Sequence, residues 1–313
     1  NNTLTVDGLA TFNDNVDVLG NLSVGTNIMK LGSDINGEAA GDQSGYSVSL
    51  SDDGTRVAIG APYNDGNNSG HVRVYEWIGA SWTQLGSDID GEAADDNFGH
   101  SVSLSGDGTR VAIGAPGNDG ANGNNSGHVR VYEWDGSSWN QLGDDIEGEA
   151  ANDYSGYSVS LSNDGTRVAI GAPYNDGING TNTDSGHVRV YDWNGTLWNQ
   201  LGIDIDGESG GDNFGYSVSL SGDGTIVAIG APYNDGTNTD SGHVRVYKWN
   251  GISWNQLGDD IDGEAAGDQF GYSVSLSGNG SIVAIGAPYN DGANGSDSGL
   301  SLIHISEPTR PLY

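Results

Sequence analysis

The sequence predicts an all-β protein, a β-propeller whose blades are four-stranded antiparallel sheets. Near-copies of one stretch, FGHSVSLSGDGTRVAIGAPGNDG at residues 98–120, occur five times along the 313 residues. Each period carries short segments of strand composition and no segment of helical pattern. Because one such unit cannot bury its apolar faces alone, successive copies are expected to stack in a radial array. Four blades are complete and a fifth stops after its second strand, so the size of a complete ring stays open.

The repeat has a constant core and one variable loop. The string LGxDI begins at Leu31, Leu85, Leu142, Leu201 and Leu257, which gives periods between 54 and 59 residues. The variation lies between NDG and SGH, where two, five, seven and four residues follow Gly66, Gly120, Gly177 and Gly236. Without these inserts 52 residues remain each time. Insertions confined to one loop often mark a binding face.

Four segments of each period are predicted to be strands. In the first complete copy they are YSVSLS at 46–51, RVAIGAP at 56–62, HVRVYEW at 71–77 and SWTQLG at 81–86. Val57 and Ile59 point to one face of the second strand, and the small Ala58 and Gly60 point to the other. We therefore expect both faces to be buried between blades, with the connections after the second and fourth strands long and polar.

Two short motifs carry a family resemblance. FG stands at 98–99, 214–215 and 270–271, and GAP stands at 60–62 and in four later copies. Residues 31–299 therefore resemble the FG-GAP repeat of integrin α-subunit propellers and of many microbial surface proteins. The resemblance implies a ring of about seven blades, and calcium in a loop between strands one and two. In this sequence Ser44 and Ser155 replace Phe, and that loop is shortened to hairpins such as SGDGT at 105–109.

The composition excludes several classes of function. With 43 acidic and 10 basic residues the formal net charge is −33, which predicts repulsion from nucleic acid and from anionic membranes. No run of 18 apolar residues occurs, so no membrane insertion is expected. The absence of Cys excludes disulfides and thiol chemistry.

The two ends depart from the repeat. Within residues 1–30, Val6, Phe12, Val18 and Val24 recur every six residues, which is typical of a β-solenoid or fibre stalk, although an extended linker remains an alternative. Residues 28–35 resemble the end of a fourth strand and are expected to pair with the last blade. Residues 300–313 break the pattern, and LSLIHISEPTR resembles a translated sequencing adapter, so this tail is expected to be non-native.

Acidic residues recur in the connection after each fourth strand. Since strands alternate in direction, this connection and the NDG loop are expected on one face, where several carboxylates could bind Ca²⁺. The alternative is that the acids solvate turns and cap backbone amides. The expected metal ligands are Asp88, Asp90, Glu92, Asp96, Asp145, Glu149, Asp153, Asp204, Asp206, Glu208, Asp212, Asp260, Asp262, Glu264 and Asp268.

Other chemistry-bearing residues favour structural roles. The recurrent His71, His128, His187 and His243 stand one per blade, too far apart to share one metal ion, so a structural role is expected. Trp pairs such as Trp77 and Trp82 are expected to pack across a hairpin, with sugar stacking as the alternative. No catalytic triad, phosphate loop or HExxH string occurs.

These observations predict a non-enzymatic binding or adhesion module of an exported or surface protein, located outside the cell, on its surface or on a virion fibre. Its acidic variable-loop face would bind a protein or glycan, with calcium as a cofactor. A structural spacer in a secreted array is the second hypothesis. A propeller lyase or hydrolase is the third, because no single blade carries reactive residues that the others lack.

Overall fold

The computed structural model describes residues 30–177, 180, 182–236, 238–291 and 295–305. Five blades are arranged in a ring, and each is an antiparallel sheet. The predicted β-propeller is therefore confirmed. The hexad repeat predicted to form a stalk lies outside the described residues.

The strands of the five blades have the following bounds. Blade 1 consists of β1 (Ser47–Leu50), β2 (Arg56–Ala61), β3 (His71–Trp77), β4 (Trp82–Gln84) and β5 (Ile89–Asp90), with a 3-10 turn at Asn64–Gly66. Blade 2 consists of β6 (Ser101–Leu104), β7 (Arg110–Ala115), β8 (His128–Trp134), β9 (Trp139–Gln141) and β10 (Ile146–Glu147). Blade 3 consists of β11 (Ser158–Leu161), β12 (Arg167–Ala172), β13 (His187–Trp193), β14 (Trp198–Gln200) and β15 (Ile205–Asp206). Blade 4 consists of β16 (Ser217–Leu220), β17 (Ile226–Ala231), β18 (His243–Trp249), β19 (Trp254–Gln256) and β20 (Ile261–Asp262). Blade 5 consists of β21 (Ser273–Leu276), β22 (Ile282–Ala287) and β23 (Leu300–Ile305).

The fourth strand of each complete blade is interrupted. In blade 1 the sheet order is β1-β2-β3-β4, and β5 also pairs with β3, near its start. Trp82 lies opposite Trp77, whereas Ile89 lies opposite Val72. The fourth strand predicted from the sequence ends at residue 86 and therefore lacks this second part. The second part belongs to the sheet, and its Ile89 is buried in the core.

The hydrophobic core lies between the blades. One cluster combines Ala58, Val72 and Val74 of blade 1 with Val111 and Ile113 of blade 2. Val111 and Ile113 are fully buried. The small face of one second strand thus packs towards the large face of the next, as the alternation predicts.

The outer face of blade 1 is the exception. Val48 and Leu50 are 64% and 61% exposed, whereas Val102 of blade 2 is 9% exposed at the same repeat position. Val57 and Ile59 are only half-buried. The expectation that these two side chains are buried is therefore wrong for the first blade, because burial at this position requires a preceding sheet and the described residues supply none.

The FG and GAP motifs meet at the point of closest approach between blades. A Cβ atom on Gly114 of GAP would overlap the carbonyl oxygen of Gly156, which lies at the FG position of the next blade. Gly156 has a φ of 87°, and a Cβ atom added to it would overlap the carbonyl oxygen of His128 in blade 2. Ser101 donates a hydrogen bond of 2.8 Å to the Gly156 carbonyl. Both positions therefore need glycine, one for the close contact and one also for its left-handed backbone.

Tryptophans join adjacent blades at the outer rim. Trp134 and Trp139 pack across their hairpin with ring centroids 5.4 Å apart. The indole N–H of Trp139 donates a hydrogen bond of 2.8 Å to the carbonyl of Leu85 in blade 1. Gly86, the second residue of LGxDI, lies directly under the ring of Trp134. The recurring Trp residues thus have the structural role expected for them.

Both ends of the repeat region contact the blades. Residues 30–36 form no strand, and Leu31 accepts a hydrogen bond of 3.1 Å from Trp82 of blade 1. They thus lie against the first blade, and the described residues show no pairing with the last. Residues 300–305, expected to lie outside the repeat, take the place of the third strand in blade 5. The described part of the chain has no helix long and apolar enough to span a membrane.

The glycine contact yields a matched pair of variants. We expect Gly114→Ala to lower the free energy of unfolding by at least about 2 kcal/mol, because the added methyl group overlaps backbone that cannot move independently. Gly286 occupies the same position in blade 5, where the close neighbour is only the hydroxyl of Ser273. Gly286→Ala should therefore cost less, as measured by urea unfolding. Equal losses would contradict the interblade contact.

Candidate functional site

The long connections after the second and fourth strands lie side by side on one face. In blade 1, Asp95 donates its backbone N–H to Asn67 at 2.9 Å, and Asn68 donates its side-chain amide to Asp95 at 2.8 Å. A parallel bridge then joins Gly70 to Phe98. Blade 3 repeats the contact with a longer insert, since Gly211 donates to Thr183 at 2.9 Å. We call this surface the variable-loop face.

The acidic residues expected to bind calcium point to several different places. The last acid of each connection is almost fully buried and caps its own turn. In blade 2, Asp153 accepts hydrogen bonds from the backbone of Ala150 at 3.0 Å and from Asn175 of blade 3 at 2.9 Å. Burial raises the pKa of Asp153, and the hydrogen bond from Asn175 partly offsets it. The equivalent residues are Asp96, Asp212 and Asp268.

The two acids near the interruption of each fourth strand also occupy different positions. Asp88, Asp145, Asp204 and Asp260 lie just before its second part, and each accepts a hydrogen bond from a Gln four residues earlier. Asp90, Asp206 and Asp262, with Glu147 in blade 2, lie two residues further on, within the strand. Burial, followed by the charge of Asp204, raises the pKa of Asp206.

The glutamate of each connection reaches the following blade. Glu92, Glu149 and Glu208 form ion pairs with Arg130, Arg189 and Arg245. Glu264 has no such arginine within the described residues, because Leu302 takes the position opposite Ile285 that Arg245 takes opposite Ile229. The carboxylates of one connection therefore do not converge on one point.

At both candidate locations for calcium the carboxylates already have partners within the protein. Ca²⁺ needs six to eight oxygen ligands, whereas the fourth-strand acids share their positions with arginine and histidine. In the shortened hairpins the carboxylate is already a turn cap. Hydrogen bonds from the Thr55 backbone and the Ser51 hydroxyl lower the pKa of Asp53. The structure thus favours the capping alternative, and calcium binding stays a prediction.

Histidine, arginine and two acids form a recurring group between adjacent sheets. The histidine and arginine come from the third strand, the aspartate from the fourth-strand interruption and the glutamate from the connection before the blade. We call these groups the interblade clusters. Those in the described residues are Glu38, His71, Arg73 and Asp88; Glu92, His128, Arg130 and Asp145; Glu149, His187, Arg189 and Asp204; and Glu208, His243, Arg245 and Asp260.

Arginine has two arrangements in these clusters. In blade 2, Arg130 forms two hydrogen bonds of 2.9 Å with Asp145 and also pairs with Glu92. Although burial alone would raise it, the bonds from Arg130 hold the pKa of Asp145 below its usual value. In blade 3, Arg189 instead bonds to the carbonyl of Glu147 at 2.7 Å and lies over Tyr191. Blade 4 follows the first arrangement and blade 1 the second.

A row of five aromatic or imidazole side chains at the centre of the variable-loop face was not predicted. It is formed by the residue before each first strand, and successive ring centroids are 5.0, 4.7, 4.9 and 5.0 Å apart. Its members, which we call the axial ring, are Tyr46, His100, Tyr157, Tyr216 and Tyr272. Burial raises the pKa of Tyr157 to about 12. The sequence signal was available, because an aromatic or imidazole side chain precedes SVSLS in every copy.

A salt comparison tests the calcium prediction. Because the acids are already held by arginine or by N–H donors, we expect CaCl₂ and NaCl at equal ionic strength to raise the melting temperature equally, through screening alone. Thermal unfolding after chelation gives the measurement. A larger effect of calcium that is lost in Asp88→Asn with Asp90→Asn, but kept in Asp107→Asn, would instead support calcium in the fourth-strand connections.

The buried histidines predict a pH dependence. Burial, and after it the charge of Arg189, lowers the pKa of His187 from 6.5 to about 3. Between these values the unfolded chain binds a proton that the folded chain does not, so stability falls as the pH falls. We expect His187→Gln to reduce this slope by up to about 1.4 kcal/mol per pH unit. Urea unfolding with chelator gives the slope, and an unchanged slope would contradict the assignment.

A model of the FG-GAP repeat matches residues 36–75, 88–132, 147–191, 203–247 and 261–301. These segments begin near the end of one fourth strand and extend into the third strand of the next sheet, so they contain the FG, GAP and interblade contacts. No curated protein matches the chain. Since the matched segments make up more than half of its length, the chain belongs to the FG-GAP repeat family.

Proposed function

We propose that this chain is a non-enzymatic binding module whose variable-loop face takes a protein or glycan ligand. The observation that carries the proposal is the position of the inserts. Loops of different length are anchored on one face by the same backbone contacts, while the blade core keeps a constant length. A rigid scaffold that holds variable loops together is the usual arrangement of a binding surface.

The axial ring adds a second feature to this face. Tyr46 and Tyr272 remain 48% and 39% exposed, and Tyr289 at the end of the last GAPY string is 48% exposed. Aromatic rings that combine an apolar face with a polar tip are enriched at binding sites. The inserts on the same face carry amide and hydroxyl side chains, such as Asn68 and Thr183, which provide hydrogen-bonding groups for a polar ligand.

The negative charge of the face limits the classes of ligand that it can bind. Asp95, Asp119, Asp176 and Asp235 are exposed on the variable-loop face. With a net charge of −33 over the chain, polyanions such as nucleic acid or sulfated glycans are repelled. A neutral glycan or a neutral to basic protein surface is compatible with this potential. An exported or cell-surface location, including a virion fibre, is part of the same proposal.

Binding assays with matched variants test the proposal. We expect the full chain to bind a subset of neutral glycans on an array, or intact cells. Tyr216→Ala, and shortening of residues 121–125 to the two residues found in blade 1, should each weaken binding at least about tenfold without loss of the melting transition. Ile252→Ser alters an exposed turn between the third and fourth strands, on the opposite face, and should have no effect.

The second hypothesis predicts a different result. If the repeats are only a structural spacer, the folded chain binds neither glycans nor cells, and the face variants behave like the control. Binding that is equally reduced by Ile252→Ser would also contradict the assignment to this face.

A further inference from the structure

Each interblade cluster contains an almost fully buried histidine that lies beside the carboxylates of the cluster. The side chains of His71, His128 and His243 are almost fully buried, and in each the Nε2 atom has no hydrogen-bond partner. A buried imidazole nitrogen without a partner costs stability. The other ring nitrogen, Nδ1, faces the carboxylates of the cluster.

The spacing around Nδ1 is too long for direct hydrogen bonds. The distance from His71 Nδ1 to Asp88 Oδ2 is 3.8 Å, and the distance from His187 Nδ1 to Glu149 Oε2 is also 3.8 Å. In each cluster one imidazole nitrogen and two carboxylate oxygens lie within 4.8 Å of one another. Metal bonds of about 2.0–2.2 Å hold such ligand atoms roughly 3–4 Å apart, so a small contraction would bring all three onto one ion.

The donor set indicates the class of ion. One imidazole nitrogen with two carboxylate oxygens suits first-row divalent transition metals, whereas Ca²⁺ prefers oxygen ligands alone. Three protein ligands leave positions for water or for a ligand atom. The chemistry therefore differs from the calcium site that the acidic connections suggested.

The position of the arginine side chain determines which clusters have room for a metal ion. In blades 2 and 4 the guanidinium groups of Arg130 and Arg245 bind both oxygens of the cluster aspartate and also pair with the glutamate. In blades 1 and 3 the guanidinium is turned over a tyrosine, at 5.8 and 5.7 Å from the ring centroids. In this position the guanidinium lies 3.5 and 3.3 Å from the cluster glutamate. The cluster aspartate keeps its hydrogen bond from the glutamine four residues earlier.

We propose that Glu38, His71 and Asp88, and likewise Glu149, His187 and Asp204, are sites for a divalent first-row transition metal such as Zn²⁺. In the two other clusters Arg130 and Arg245 occupy the position of the cation. At the second site the ion would join blades 2 and 3, because Glu149 comes from the connection that precedes the blade of His187; at the first site it would hold the segment around Glu38 against blade 1. The proposal does not depend on the ligand of the variable-loop face.

Cobalt and zinc titrations test the sites. Metal-free full-length protein is titrated with Co²⁺, followed by its visible absorption, and with Zn²⁺, followed by calorimetry, in excess Mg²⁺ to occupy surface carboxylates. We expect two tight sites per chain, with visible bands that indicate nitrogen and oxygen ligands. By mass action, zinc at a hundredfold excess over Kd should raise the melting temperature, whereas calcium at the same low concentration should not.

Variants distinguish these sites from general binding to acids. His71→Gln and His187→Gln should each remove one site, and the double variant should remove both. His100→Gln, which changes a histidine outside the clusters, should keep both sites. Arg130→Gln should open a third site, since it removes the resident cation of blade 2.

Unfolding of the histidine variants could imitate a loss of binding. Asp88→Asn and Asp204→Asn are therefore measured in parallel, with metal-free melting curves for every protein. Loss of one site in a variant that still melts cooperatively supports the proposal. Absence of tight binding by the unmodified chain, or two sites that persist in the double histidine variant, overturns it.

Discussion

The contact on which the structure depends is the approach of two glycines, one from FG and one from GAP, across each blade boundary. Gly156 at the FG position lies against Gly114 of GAP, and Ser101 bonds to its carbonyl. With a side chain at either position the inner strands could not approach so closely. That distance in turn brings Val168 and Ile170 of blade 3 against the sheet of blade 2 and closes the core between them. The two motifs of the repeat are thus the two halves of one interface.

The close contact between blades also determines where the charged groups lie. A chain with 43 acidic and 10 basic residues cannot pair most of its acids, and arginines are placed where adjacent blades meet. Each cluster arginine binds acids from two blades or a backbone carbonyl of the preceding connection. Removing the acid partner of a buried arginine such as Arg130 leaves a buried charge without compensation, which is destabilising. The clusters therefore connect blades as well as positioning histidine.

The variable-loop face has anchoring contacts that are the same in each complete blade and inserts that differ in length. Backbone hydrogen bonds between the two connections, such as that from Asp95 to Asn67, recur in every complete blade, while residues added between NDG and SGH extend outward. The axial ring remains constant at the centre of the same face. A ligand would thus meet a fixed aromatic centre surrounded by loops that can vary without disturbing a core position.

The sequence by itself determined the fold class, because a period of strand-like segments with alternating large and small apolar residues has few other ways to bury them. It also located the strands from Ser47 to Gln84 of blade 1 closely, and it predicted that the two long connections share a face. These features depend on local patterns of side-chain alternation and on turns, which the chain carries within each period.

Only the tertiary structure decided which side chains meet between periods. Glu92 and Arg130 belong to different blades, and no spacing within one repeat places them together. Ile59 and Ile113 have the same local sequence, yet only Ile113 is fully buried, because burial depends on a neighbouring sheet. The histidines are too far apart to share one metal ion, but each lies close to an aspartate of its own blade and a glutamate of the preceding connection. Packing of one period on the next, which the sequence of one period does not encode, accounts for each of these differences.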